Sequence, residues 1–334
     1  MYWSFIALAL VAPSADALLR FACSQLVTER LDPLVNPGVA QSPHLHQVVG
    51  GNSFNISMDP NNDPSSLASC TSCTFSEDFS NYWTAVLYFR AQNGSFHRVP
   101  QIGNELFEQA NGGVTVYYSP PNSGKAKVTA FKKGFRMLVG DTSCRNAACA
   151  SKYRQLTYTC LQTPGTRTGE TKDMPKKPCP AGIMANIRFP TCWDGTNLDS
   201  PDHKSHIAYP SSGTFESNGP CPSTHPAQVP QLFYETVWDT RKFNDKSLWP
   251  TDGSQPFVWS NGDPTGYGLH GDYVFGWKGD ALQKAMDANC NINCPQLKSQ
   301  QIPAGNKCTK PAIVNENIDG WIDELPGGMP ITSS

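Results

Sequence analysis

WTAVLYF, from Trp83 to Phe89, is rich in aromatic and branched residues. Such a run fits the pleated surface of a β-strand. Asn93-Gly94 follows, then FHRV from Phe96 to Val99. Asn-Gly between two strand-like runs is a strong short-range hairpin signal. Further runs of this kind are Val114 to Tyr118, Phe135 to Val139, Ile183 to Phe189, Leu232 to Trp238 and Phe257 to Ser260. Prolines (28) and glycines (27) punctuate them throughout, which favours short strands over long helices. The fold expected is mainly β: a disulfide-bonded β-sandwich or jelly-roll-like body with long loops and a few short helices. One helix is predicted in ALQKAMDAN, Ala281 to Asn289, with Asp280 as its cap and Leu282, Ala285 and Met286 on one face.

The 334 residues suffice for one large domain or two ordinary ones. At 39% hydrophobic and 10% aromatic, a packed core is expected and disorder is not. Net charge is −2 with no basic stripe, so no nucleic-acid partner is expected. WSFIALALVAP, Trp3 to Pro13, followed by Ala15-Asp16-Ala17, reads as a secretory leader over residues 1–17, with a buried first strand as the alternative. No later run is long enough to span a membrane. All 12 cysteines follow Ala17, and an even number in an exported chain reads as disulfides. That includes Cys70-Thr-Ser-Cys73, which lacks a second Cys-x-x-Cys to make a metal site. Asn55 and Asn93 head N-glycosylation triplets. Residues 18–295 are read as a single β-rich domain, 296–334 as a loosely ordered tail, and Thr163 to Pro178 as a surface loop or a boundary between lobes. A monomer is expected.

Five of the seven histidines fall in three Gly- or Pro-flanked blocks. SPHLHQVVGG (Ser42 to Gly51) carries His44 and His46, which share a face if the segment is a strand. SPDHKSH (Ser200 to His206) opens with a hydroxyl cap and a proline. If a helical turn follows, His203 and His206 lie on one face, with Asp202 in the first turn. A capped polar surface turn explains the same residues. GLHGD (Gly268 to Asp272) places His270 between small residues that would let a ligand approach. The three blocks are expected to meet at one polar cleft.

The candidate catalytic set is His44, His46, Asp202, His203, Lys204, His206, His270 and Asp272. The histidines either hold one divalent metal ion, with His44, His46, His203 and His206 as ligands, or act with carboxylates as acid and base. Trp193, Asp199, Asn261, Asp263 and Tyr267 are candidate substrate contacts, because aromatic faces edged by polar groups suit a sugar ring. For Trp238, Trp249, Trp259, Tyr273 and Trp277 the core is the favoured reading. Glu235, in QLFYETVW, is either a buried acid with a raised pKa or a paired structural acid.

SPHLHQVVGGNSF, CTSC, YWTAVLYF, FRMLVGD, FPTCWDGTNLDSPDHKSHIAYP, LFYETVWDT and SNGDPTGYGLHGDYVFGW together resemble a family of secreted, mainly fungal proteins known by a numbered domain of unknown function. The likeness runs from about Phe21 to Cys290. It implies secretion and a link to polysaccharide or cell wall, and it supplies no reaction. The function expected is a secreted carbohydrate-active protein cleaving or modifying a wall or plant polysaccharide, by hydrolysis or lyase chemistry. The alternatives are a non-catalytic glycan-binding or wall protein, and a secreted effector.

Overall fold

The computed structural model describes residues 18–121, 127–153, 155–213 and 219–333. The leader read over residues 1–17 lies outside the described residues. The chain is mainly β, with 27% strand and 10% helix. Two antiparallel sheets form the body. In the first, Leu19–Cys23, Val114–Ser119, Gln231–Trp238, Ile183–Arg188 and Leu156–Cys160 are successive neighbours. In the second the order is Gln25–Glu29, His46–Gly50, Asn81–Ala85, His270–Val274 and Arg136–Gly140.

The sheets pack face to face through an aromatic core. The Tyr234 hydroxyl of the first donates to the Asp272 carbonyl of the second at 2.9 Å. Gly271 makes this closeness possible: a Cβ there would meet Ile187 at 2.9 Å and Phe189 at 3.2 Å. Tyr82, Tyr118, Tyr234, Tyr273, Trp238, Trp259 and Trp277 are all buried here. For Trp238, Trp249, Trp259, Tyr273 and Trp277 the core reading therefore applies. Glu235, on the first sheet, is a paired acid: Oε2 accepts from Asn104 Nδ2 at 2.7 Å and from the Tyr117 hydroxyl at 2.5 Å.

WTAVLYF divides between two sheets. Asn81–Ala85 stays in the second sheet, and Leu87–Arg90 enters a smaller one with Phe96–Arg98, Phe257–Trp259 and Trp321–Ile322. The expected hairpin is there, with Phe89 opposite His97 and Gly94 at φ +88° in the turn. The helix runs Ala281–Asp287 with Leu282, Ala285 and Met286 buried. Asp280 does not cap it through its side chain and instead pairs with Lys284 at 2.8 Å. Thr163 to Pro178 is a loop closed by Cys160–Cys179 and held by Glu170 on Arg188 at 2.7 Å.

All twelve cysteines are paired, and Cys70 and Cys73 bond to different partners, Cys308 and Cys23. The segment after 295, read as a loosely ordered tail, is packed on the body. Cys308 anchors it, Glu29 Oε2 accepts from the Ile313 and Val314 amides, Glu316 pairs with Arg30 at 2.8 Å, and Trp321–Ile322 adds a strand beside Phe96–Arg98. Composition hides this because the ties are one disulfide, one ion pair and backbone groups, each with a partner far away in sequence. Replacing Cys70 and Cys308 together by serine should cost about 2–5 kcal/mol in urea unfolding. An unchanged midpoint would show that the segment does not hold the body.

Candidate metal centre

The second sheet has two unlike faces. Its strands alternate, so Gly271 faces the first sheet while His270 and Asp272 point to the opposite face. His46 is paired with Ala85, and Asp272 with Trp83, two residues earlier on the same strand. Continuing that register brings His270 level with Ala85. His46 and His270 thus flank one alanine, whose small side chain leaves room for the two imidazoles to lean together. His44, two residues before His46, joins them from the preceding loop. Small residues beside His270 were expected to admit a ligand; Gly271 instead admits the other sheet.

The three rings meet at their Nε2 atoms. His44 Nε2 lies 3.1 Å from His270 Nε2, which lies 3.5 Å from His46 Nε2. The opposite nitrogens of two rings are fixed by carbonyls: His46 Nδ1 donates to Leu31 at 2.9 Å, and His270 Nδ1 to Gly268 at 3.2 Å. With Nδ1 protonated, the Nε2 of each neutral ring presents its lone pair to the common point. Burial keeps them neutral. It pushes His46 and His270 down to about 4 and His44 well below its ordinary value.

Asp272 completes the cluster. It is fully buried, 3.9 Å from His270 Nε2, and neither carboxylate oxygen has a hydrogen-bond partner. Burial pushes its carboxyl well above the usual range. Two nitrogens about 2.0–2.1 Å from one ion stand about 2.8–3.0 Å apart at octahedral angles and about 3.3–3.4 Å apart at tetrahedral ones, close to the spacings here. Three neutral imidazoles therefore fit one divalent transition-metal ion, with the Asp272 carboxyl beside His270 as a further oxygen ligand or counter-charge.

The SPDHKSH block lies beside this cluster and does not join it. No helical turn forms. Asp202 Oδ1 accepts from the Lys204 and Ser205 amides and the Ser200 hydroxyl, which folds the segment into a carboxylate-centred turn with His203 at φ +56°. His203 Nδ1 donates to Asp199 at 2.6 Å. His206 is buried, with both nitrogens taken: Nε2 donates to the Arg136 carbonyl at 2.9 Å and Nδ1 pairs with the Ser200 hydroxyl at 2.8 Å. Lys204 Nζ donates to the carbonyl of Gly140, the partner of His270, at 2.6 Å.

Of the expected substrate contacts, Asn261 and Asp263 are buried and organise the loop before His270. Asp263 Oδ2 accepts from the Gly268 amide at 2.6 Å, and Asn261 Nδ2 donates to the Gly268 carbonyl at 3.0 Å. Trp193 is buried, its indole donating to Asn197 at 2.6 Å. Tyr267 is half-buried, and the acceptor asparagines Asn55 and Asn93 are exposed. Sequence reasoning passed over Asp32, whose Oδ1 accepts from the Leu34 and Val35 amides and whose charge bears on both Asp272 and His270. The Asp-Pro turn signal at Asp32-Pro33 was the clue available.

The model of a family described as a domain of unknown function, DUF1996, matches residues 32–277. The chain belongs to this family. No curated protein and no solved structure matches it. All four residues of the cluster lie inside the DUF1996 match, and the segment from Cys308 onward lies outside it.

Two outcomes follow from this geometry. His206→Ala should lower stability by about 1–3 kcal/mol, because the Arg136 carbonyl loses its donor in the interior. The metal content per folded molecule should stay the same, and a loss of metal without loss of stability would move His206 into the centre. The second concerns acid. In metal-free protein His46 and His270 each take up a proton in the unfolded chain between pH 6.5 and about 4 that the folded chain does not, while Asp78 and Asp272, raised by burial, act in the opposite sense. The contribution of the two histidines alone is therefore increasingly destabilising as pH drops through that window. Urea titrations at pH 7 and 5 check this by difference: a His46→Ala/His270→Ala variant should gain stability relative to the wild type at pH 5 compared with pH 7.

Proposed function

We propose that this DUF1996 protein is a secreted, metal-dependent, carbohydrate-active protein whose centre is His44, His46, His270 and Asp272. The observation that carries the metal is the Asp272 carboxylate, buried without a partner where three neutral imidazoles converge. Burial favours the protonated acid there, and the ionised carboxylate is held only where a cation answers it. One divalent ion supplies the charge and uses the Nε2 lone pairs as well. Imidazole ligands favour zinc, copper, nickel or iron over magnesium or calcium. Such an ion polarises a bound oxygen or lowers the pKa of a bound water, which serves hydrolysis or elimination in a glycan.

Six disulfides suit an oxidising, extracellular setting, and among the described residues no helix is long and apolar enough to cross a membrane. The glycan rests on the resemblance set out above. Convergence of the histidines favours an enzyme over a glycan-binding protein, and so does the burial of the tryptophans that would have stacked on sugars. His203, oriented by Asp199, and Lys204 border the centre as proton-transfer and charge-neutralising groups for such a substrate.

Metal analysis of protein freed of metal and reloaded with zinc or copper should give one ion per chain. Asp272→Asn and His270→Ala should each abolish retention. Loading at a hundredfold excess over Kd should stabilise the wild type by about 2.7 kcal/mol, and these variants not at all. Binding below one-tenth of an ion per chain in the wild type would end the proposal. A polysaccharide panel with product analysis, run with and without chelator, then tests the chemistry.

A further inference from the structure

We propose that residues 324–333 are a strap that closes the metal centre and governs access to it, an inference that rests on the metal reading above. The segment bridges the two loops that bring His44 and His270 to the cluster. At one end, Gly327 lies against the Arg30 guanidinium, so that a Cβ there would come within 2.7 Å of Nη1. The same Nη1 donates to the Ser42 carbonyl at 3.0 Å, two residues before His44. At the other end, the Thr332 amide donates to the Gly262 carbonyl at 3.0 Å, and Arg145 Nε donates to the Thr332 carbonyl at 2.8 Å. Arg145 also donates to the Asn261 carbonyl at 2.9 Å, and Asn261 holds the Gly268 carbonyl that orients His270.

Only residues 328–331 lie between these two anchor points, a reach of at most about 18 Å. They run from the loop of His44 to the loop of His270, with Met329 and Ile331 against the main core. The cluster lies on the face of its sheet turned away from the other sheet, beside an apolar roof that includes Leu31, Leu34 and Phe54, and the strap secures the two loops that enter it; His44, the most exposed member, is 7% exposed. The strap is built to be released. Leu325 and Pro326 are its buried residues, Asp323 and Glu324 before them are exposed, and no disulfide follows Cys308. Segments with so few buried contacts open at low free-energy cost. The centre lies within the part matched to the family, and the strap lies outside it.

The test places a specific protease site after Asp323 in the full chain and cuts it once the protein has folded. The released peptide is separated by gel filtration. Two readings are taken before and after: the rate at which a chelator strips bound zinc, and modification of His44 and His270 by diethyl pyrocarbonate, mapped by mass spectrometry. Cutting should speed zinc extraction about ten-fold or more, since local opening would no longer be required. It should also expose His44 to the reagent, and adding back the peptide should restore protection. Unchanged extraction and an unmodified His44 after cutting overturn the strap. If neither form holds zinc, the metal reading fails, and the modification of His44 still decides the strap.

Discussion

One hydroxyl holds together the three chain segments on which the site depends. Ser260 is fully buried. Its Oγ donates to the Leu45 carbonyl at 2.6 Å and accepts from the Val86 amide at 3.1 Å, while its own amide donates to the Val86 carbonyl at 2.8 Å. Val86 is the residue at which the strand leaves the second sheet for the smaller one, so its backbone groups fall outside both ladders. A buried backbone group without a partner costs about 1–3 kcal/mol, and Ser260 removes that cost on both sides of the corner. Leu45 lies between His44 and His46, and Asn261, next to Ser260, begins the loop that ends at His270. A single buried side chain thus sets the position of all three histidines relative to the crossing strand.

The second constraint is the two-residue period of the strand His270–Val274. Gly271 and Tyr273 belong to the aromatic interior, and His270 and Asp272 to the opposite face. That face is roofed by Leu31, Leu34, Phe54, Cys308 and Val314, which pack with Leu26, Val27, Val48, Trp83 and Val274 of the sheet. The polar cluster is therefore enclosed by chain on one side and by sheet on the other. A shift of register by one residue would put His270 and Asp272 into the aromatic core, so the site and the sandwich specify each other.

Much of this was legible in the sequence, for reasons that can be named. Runs such as VTVYY and IMANIRF pair apolar content with short length and turn residues at both ends. HGDYV escaped notice as a strand, and SPHLHQVVGG was read as one only conditionally, because their outward positions are polar and a glycine interrupts or ends each. His44, His46 and His270 were legible as histidines beside small or rigid residues. SPDHKSH was ambiguous in principle. Ser-Pro-Asp begins a helix or a carboxylate-centred turn equally well, and no apolar period follows to favour the helix, so Asp202 gathers the amides around itself. The tryptophans could not be divided between core and cleft because composition does not report burial. The C-terminal ties could not be read because a disulfide partner 238 residues away leaves no local trace.

The other buried acids show why Asp272 differs. Asp78 accepts from the Tyr82 hydroxyl and the Ser80 amide, Glu235 from Tyr117 and Asn104, and Asp263 from Gly268 and Thr265. Asp32 accepts from two amides, and Glu29 from two more through one of its oxygens. The fold therefore has ample means of satisfying a buried carboxylate, and uses them at each of these positions. Among the described residues, Asp272 is the one buried carboxylate left with both oxygens unpaired. Its nearest polar neighbours are imidazoles that burial keeps uncharged, so no counter-charge comes from that side. An arrangement of two lone-pair nitrogens, a third imidazole and an orphaned carboxylate is unfavourable as a set of protein groups alone. A divalent cation at their meeting point answers every one of those deficits at once, whereas Lys204, whose charge bears on Asp272, is bonded to the Gly140 carbonyl.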